Sequence, residues 1–203
     1  MWMLERLAWS FGVCAIGFCL VAAADRKISS DQEIERFAAL RAGGDLPGEP
    51  PDYELWSPVR VKAWKEARAK ESPLPLAVLR IPRIRLVVPV LPGTDDWTLN
   101  RAVGVIEGTP SPGSPGNSGI AGHRDSFFRS LKDVVTGDLL TLEMPRTTET
   151  YRIERIWIVD PEDVSVLDPT ESPSITLVTC YPFYFVGSAP QRYIVRAVRQ
   201  QTQ

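Results

Sequence analysis

The hydrophobic pattern divides the chain into three stretches. From Leu7 to Ala24 no residue is charged, with Arg6 before the run and Asp25, Arg26 and Lys27 after it. Apolar positions then recur at helical spacing, and from Leu76 onward β-branched and aliphatic residues come in short runs broken by Pro and Gly. As a helix, the first run would be roughly 27 Å long, close to the bilayer core of about 30 Å. It therefore predicts a membrane anchor or uncleaved signal over residues 1–27. Ala22-Ala23-Ala24 also fits a signal-peptidase site, so a cleaved secretory signal is the rival; the run exceeds the usual apolar core of about 7–15 residues, which favours the anchor. Basic residues flank both ends, so orientation is weakly coded. Either outcome puts the bulk of the chain outside the cytoplasm.

Residues 28–75 read as a helical stalk and linker. Ser30 and Glu33 form a capping box ahead of Ile34, Phe37 and Leu40, which share one helix face, and Gly43-Gly44 ends that helix. Pro47, Gly48, Pro50 and Pro51 mark a linker over 45–57. Ser57 as N-cap and Pro58 at the first helical position then start a second helix running past Val61 and Trp64 to Lys70. Both a stalk and a cover over a functional groove fit these elements.

Residues 76–203 read as one β domain. Strands are expected at 76–81, 84–91, 103–106, 119–123, 139–144, 150–159, 174–181 and 191–198. Thr94 is expected to cap a short helix whose first turn holds Asp95 and Asp96, an acidic pair suited to the helix dipole. Phe127, Phe128 and Leu131 follow at helical spacing. Eight strands, short helices and no βαβ alternation predict an all-β domain closed, or nearly closed, into a barrel. Eighteen prolines among 203 residues agree with a loop-rich β architecture. A net charge of -2 offers no basic field for nucleic acid.

Candidate chemistry centres on Cys180. Cys14 and Cys19 lie in the first apolar run, so Cys180 is the only thiol in the β domain and has no partner there for a disulfide. It ends one strand of a hairpin; pairing about a loop centred on Val186 sets Arg192 opposite it, with both side chains on one face. A buried, inert cysteine is the alternative. His123, the single histidine, falls at the end of another short strand, where both a structural and a catalytic role are open. A nucleophilic thiolate needs a basic or positive neighbour, and His123 and Arg192 are the two on offer. Arg192 keeps its proton, so it suits an oxyanion or a substrate carbonyl, while His123 is able to relay a proton to a leaving amine. That division of labour describes acyl transfer through a thioester.

These residues resemble the sortases, membrane-anchored cysteine transpeptidases of bacterial surfaces. Thr176-Leu177-Val178-Thr179-Cys180 matches the family's TLxTC signature, Gly122-His123-Arg124-Asp125 its histidine motif, and Arg192 its arginine about a dozen residues past the cysteine. The resemblance covers roughly Leu76 to Val198 and is strongest to the class D branch. It implies an eight-stranded sortase barrel that recognises an LPxTG-like signal near the C-terminus of an exported protein. Cys180 would attack the carbonyl after the threonine, and an amine from a cell-wall precursor or a pilin lysine would resolve the thioester. His123 would be general acid and base, and Arg192 would hold the signal and stabilise the oxyanion. Thr179 is a substrate-binding candidate, with a plain strand role as its alternative. Residues 160–173 and 182–190 would flank the groove. No metal or cofactor is expected.

Two other classes fit the same residues: a secreted cysteine protease, in which water replaces the amine, and a membrane-tethered β-barrel binding module in which Cys180 is a core residue. An L,D-transpeptidase also combines a Cys, a His and an Arg, but the sequence around Cys180 does not look like that family's.

Overall fold

The computed structural model describes residues 2–42, 73–184 and 187–200. The expected linker over 45–57 and the second stalk helix over 57–70 lie outside the described residues.

Eight strands among the described residues close into a barrel. They are β1 (Ala77–Ile81), β2 (Leu86–Pro92), β3 (Val103–Val105), β4 (Asn117–Ala121), β5 (Leu139–Glu143), β6 (Thr148–Val159), β7 (Ser174–Tyr181) and β8 (Gln191–Arg199). Around the wall the order is β1-β2-β3-β4-β7-β8-β6-β5, and β5 closes against β1. The β2–β3 and β4–β7 pairs are parallel and the rest antiparallel. The expected strands are present with shifts of one or two residues at most ends. The notable shift is in β4, which stops at Ala121, two residues short of His123. The N-cap of the short helix α2 (Asp96–Leu99) also moves, from Thr94 to Asp95, whose carboxylate accepts the Thr98 N–H at 2.8 Å. That bond holds the Asp95 carboxyl below the usual carboxylate range.

Period-two alternation fills the barrel. Leu79 and Ile81, Val88 and Val90, Leu140 and Leu142, Ile175 and Leu177, and Val195 and Ala197 point inward and join one buried cluster with Ile120, Phe128 and Tyr151. Each such Val, Leu or Ile side chain contributes about 1.5–3 kcal/mol by leaving water. In β6 the inward parity changes partway. Ile153 opposes Ala197 but Arg155 opposes Arg196, so Glu154 is an extra residue. This bulge leaves Tyr151 and Ile153 inside and turns Arg155, Trp157 and Val159 to the outer face, beside β8.

At the N-terminus the structure departs from the expectation of an anchor followed by a separately capped stalk helix. One helix, α1 (Trp2–Arg41), runs without a break, and Ser30 and Glu33 are buried inside it rather than at a start. Propensity across Asp25–Ser30 is sufficient to continue a helix already nucleated, so the capping signal is overridden. Among the described residues no helix is long and apolar enough to cross a membrane, so the expected spanning helix is not part of the fold as described; several side chains of the 7–24 run lie outside the described set. The C-terminal part of α1 is docked. Phe37 is buried, Arg41 Nη2 donates to Thr148 Oγ1 at 2.9 Å, and Arg41 pairs with Glu143 at 3.6 Å. α1 packs on β1 and β2, which stand four places around the ring from β7 and β8. The described helix therefore lies on the wall opposite Cys180 and does not cover it.

Candidate active site

Two ladders bring His123, Cys180 and Arg192 into one row. On one side of β7 the antiparallel register pairs Cys180 with Arg192, the pairing expected from the hairpin. On the other side the parallel register runs from Asn117↔Ser174 to Ala121↔Val178. It continues one residue further, because Gly122 N donates to Val178 O at 3.2 Å and Thr179 Oγ1 donates to Gly122 O at 2.7 Å. His123 thus stands level with Cys180. Directly opposed residues project to one face, so the thiol and guanidinium share the outer face of the barrel, and His123 follows inward-facing Gly122 at the end of the neighbouring strand. All three residues are half-buried.

The backbone before His123 is tightly set. Gly122 faces inward against Phe128, and a Cβ there would fall 2.8 Å from the Phe128 ring and 3.0 Å from Val103 Cγ1. Just beyond, His123 O accepts from Ser126 N and Phe128 N, both at 3.3 Å, which starts the 3-10 turn Phe127–Asp133. Phe128 and Leu131 bury that turn in the core. Arg192 Nη1 donates to Ala189 O at 3.4 Å and Gln191 O at 3.1 Å, which seats the side chain against the β7–β8 loop.

Thr179 occupies an inward position of β7. Thr179 alternates with Cys180, is 2 % exposed, and sits among inward residues opposite Tyr193. Its hydroxyl is spent on Gly122 O. That bond pins the segment that carries His123.

Below the row the outer face carries Ala121, Val178, Ile194 and Trp157, then Gly119, Thr176 and Arg196. The β6–β7 connection crosses this lower end with its 3-10 turn Val164–Leu167. It lies close: a Cβ on Gly119 would sit 2.8 Å from Leu167 Cδ2. A polar network fastens it. Asn117 Nδ2 donates to Val166 O and Asp168 O, both at 3.1 Å, and its Oδ1 accepts from Thr176 Oγ1 at 2.7 Å. Arg196 Nη2 donates to Val166 O at 2.6 Å, and its guanidinium lies 5.4 Å from the Trp157 ring centre. Burial, with Arg155 nearby, pulls the Arg196 guanidinium below its ordinary value. The connection that crosses the outer face below Cys180 is thus fastened to β4 and β8. Replacing Asn117, which is fully buried, with Ala would leave the buried Thr176 hydroxyl without its acceptor and release Asp168 O from the strand. We expect a loss on the order of 2–3 kcal/mol, read as a melting temperature lower by roughly 5–10 °C.

Sequence reasoning found Cys180, His123 and Arg192 but missed Asn117, Arg196 and Arg124. Asn117 and Arg196 were visible as polar residues interrupting apolar strand patterns, a signal that marks a site without saying what fills it. Arg124 donates from Nη1 to Pro182 O at 3.2 Å and from Nη2 to Gly187 O at 2.7 Å, linking the histidine segment to the β7–β8 loop.

The sortase-domain family model matches residues 79–200, which hold every strand from Leu79 onward and all three residues of the row. The chain is 37 % identical over 123 residues to sortase D of Bacillus subtilis (strain 168), covering 60 % of this chain and 62 % of that protein's length. Among solved structures, a sortase D5 transpeptidase of Clostridium perfringens superposes with a TM-score of 0.61 at 22 % identity, over 89 % of this chain and 99 % of that one. Sortase E1 of Streptomyces coelicolor, solved with a tripeptide in its active site, superposes with a TM-score of 0.56 at 29 % identity, over 63 % and 88 % of the two chains. Since the family model covers more than half of the chain and the barrel sets the cysteine, histidine and arginine in one row, the protein belongs to the sortase family.

Proposed function

We propose that the protein is a cysteine transpeptidase that cleaves an LPxTG-like C-terminal sorting signal and transfers the acyl group to an amine. The observation that carries this is the row His123, Cys180, Arg192 across β4, β7 and β8. Cys180 is the nucleophile: its sulfur bonds to the signal's scissile carbonyl carbon, and Arg192 stabilises the oxyanion. As the C–N bond breaks, His123 gives its proton to the leaving amine. It then takes a proton from the incoming amine as that nitrogen displaces Cys180 from the thioester. The acceptor is a cell-wall precursor or a pilin lysine.

The membrane assignment belongs to the same proposal. The uncharged run Leu7–Ala24 lies in α1, where Trp9, Phe11, Phe18 and Val21 are each more than two-thirds exposed, an arrangement that water disfavours and lipid accepts. A single pass there holds the barrel on the extracytoplasmic side, near exported substrates.

The test offers an LPxTG-type peptide to the enzyme with and without an amine such as triglycine, and identifies products by mass spectrometry. The expected result is a ligated product that carries the peptide up to its threonine, together with the released remainder. Hydrolysis alone at saturating amine would make the protein a protease instead.

A further inference from the structure

We propose that Arg124 is the positioning residue that sets His123 against Cys180, by tying the histidine segment to the loop that joins β7 to β8. This rests on the reading of His123 and Cys180 as a proton-transfer pair. Arg124 directly follows His123, and its two terminal nitrogens reach different arms of that loop: Pro182 O, two residues past Cys180, and Gly187 O, five residues before Arg192.

The fork sits where the sheet no longer dictates spacing. β4 ends at Ala121, and Gly122 N to Val178 O continues its ladder by one residue. His123 lies past that bond. The first arm of the loop is already fastened, since Phe183 is buried and packs edge-on against Tyr181 at 5.8 Å and Tyr193 at 5.1 Å between ring centres. The second arm turns at Gly187, whose φ of 103° is left-handed and suited to glycine. Arg124 joins that arm to the first and both to the histidine segment. Arg192 reaches the same loop at Ala189 O. The loop is therefore held between an arginine adjoining the base and the arginine of the row, and the spacing of all three groups depends on it.

A planar guanidinium satisfies two acceptors in a fixed geometry, whereas a lysine ammonium keeps the charge but loses the fork. Arg124→Lys therefore separates geometry from electrostatics, and Arg124→Ala removes both. With the full chain in detergent, three quantities are measured for wild type, both variants and His123→Ala. They are kcat and KM for peptide cleavage, the rate at which iodoacetamide alkylates Cys180 as located by peptide mapping, and, in all but His123→Ala, which has no histidine, the single imidazole NMR signal before and after alkylation. We expect kcat to fall on the order of tenfold to a hundredfold in both Arg124 variants, with a smaller change in KM. Alkylation of Cys180 should slow towards the His123→Ala rate, and the imidazole signal should stop responding to it. Wild-type behaviour of Arg124→Lys would overturn the fork. So would variants with a lower melting temperature but unchanged kcat and alkylation, since that is the result a simple loop staple gives. Should Arg124→Ala fail to fold, Arg124→Lys alone decides. The alkylation and NMR arms need no sorting signal, so a wild type that never ligates peptide would count against the transpeptidase proposal and leave the test of Arg124 intact.

Discussion

Cys180→Ala is expected to abolish peptide cleavage, with a loss of at least about 10⁴-fold in kcat, the scale on which removing a covalent nucleophile acts. No other thiol is placed to substitute. Cys14 and Cys19 lie on α1, whose docked part packs on the wall opposite the row. The fold should survive, because the change removes one half-buried sulfur at the end of β7 and leaves the ladders to β4 and β8 intact. Intact-mass measurement of enzyme mixed with peptide should show an acyl adduct on wild type and none on Cys180→Ala. Turnover comparable to wild type, or an adduct mapped to Cys14 or Cys19, would remove Cys180 from the mechanism.

The second large effect is expected at the two neighbours of the thiol, and the two should fail differently. His123→Ala removes the imidazole that the proposed mechanism uses as general acid and base, for an expected loss of about 10²–10⁴-fold in kcat. Because imidazole is the general acid for the leaving amine, a peptide thioester or activated ester, whose leaving group needs no proton, should be cleaved with much less of a deficit. Arg192→Ala removes positive charge from the oxyanion instead, on the order of a hundredfold or more, and that loss should persist with the activated ester. Arg192→Lys should recover only part of it, since a point charge replaces a fork. If both variants lost activity equally on amide and activated ester, the division of roles between His123 and Arg192 would be wrong.

How much of this was legible beforehand depended on sequence separation. Alternation of apolar and polar residues located the strands, and the hairpin from Ser174 to Val198 even set its own register. Its two runs are joined by one short loop, so pairing about Val186 was enough to place Arg192 opposite Cys180. The position of His123 was different. It depends on a parallel pairing between β4 and β7, whose partners are 57 residues apart with β5 and β6 between them. No local pattern encodes which distant strand becomes a neighbour. The β6 bulge was likewise hidden, because an extra residue at Glu154 only reveals itself against the β8 register. Thr179, next to Cys180 in sequence, falls on the opposite face of the strand, as adjacency within a strand requires.

The sequence alone determined the chemistry available to this protein. It carries one thiol in its β domain, one histidine, and an arginine twelve residues past that thiol on the other arm of a hairpin, and no rearrangement of the fold alters those identities. Only the tertiary structure decided that the three form a row, that α1 docks on the far wall, and that Asn117, Arg196 and Arg124 hold the surrounding loops. The physical reason is that residue type and local periodicity are short-range properties. Barrel closure is long-range, and it is fixed only when every strand has buried its apolar face and spent its backbone hydrogen bonds at once.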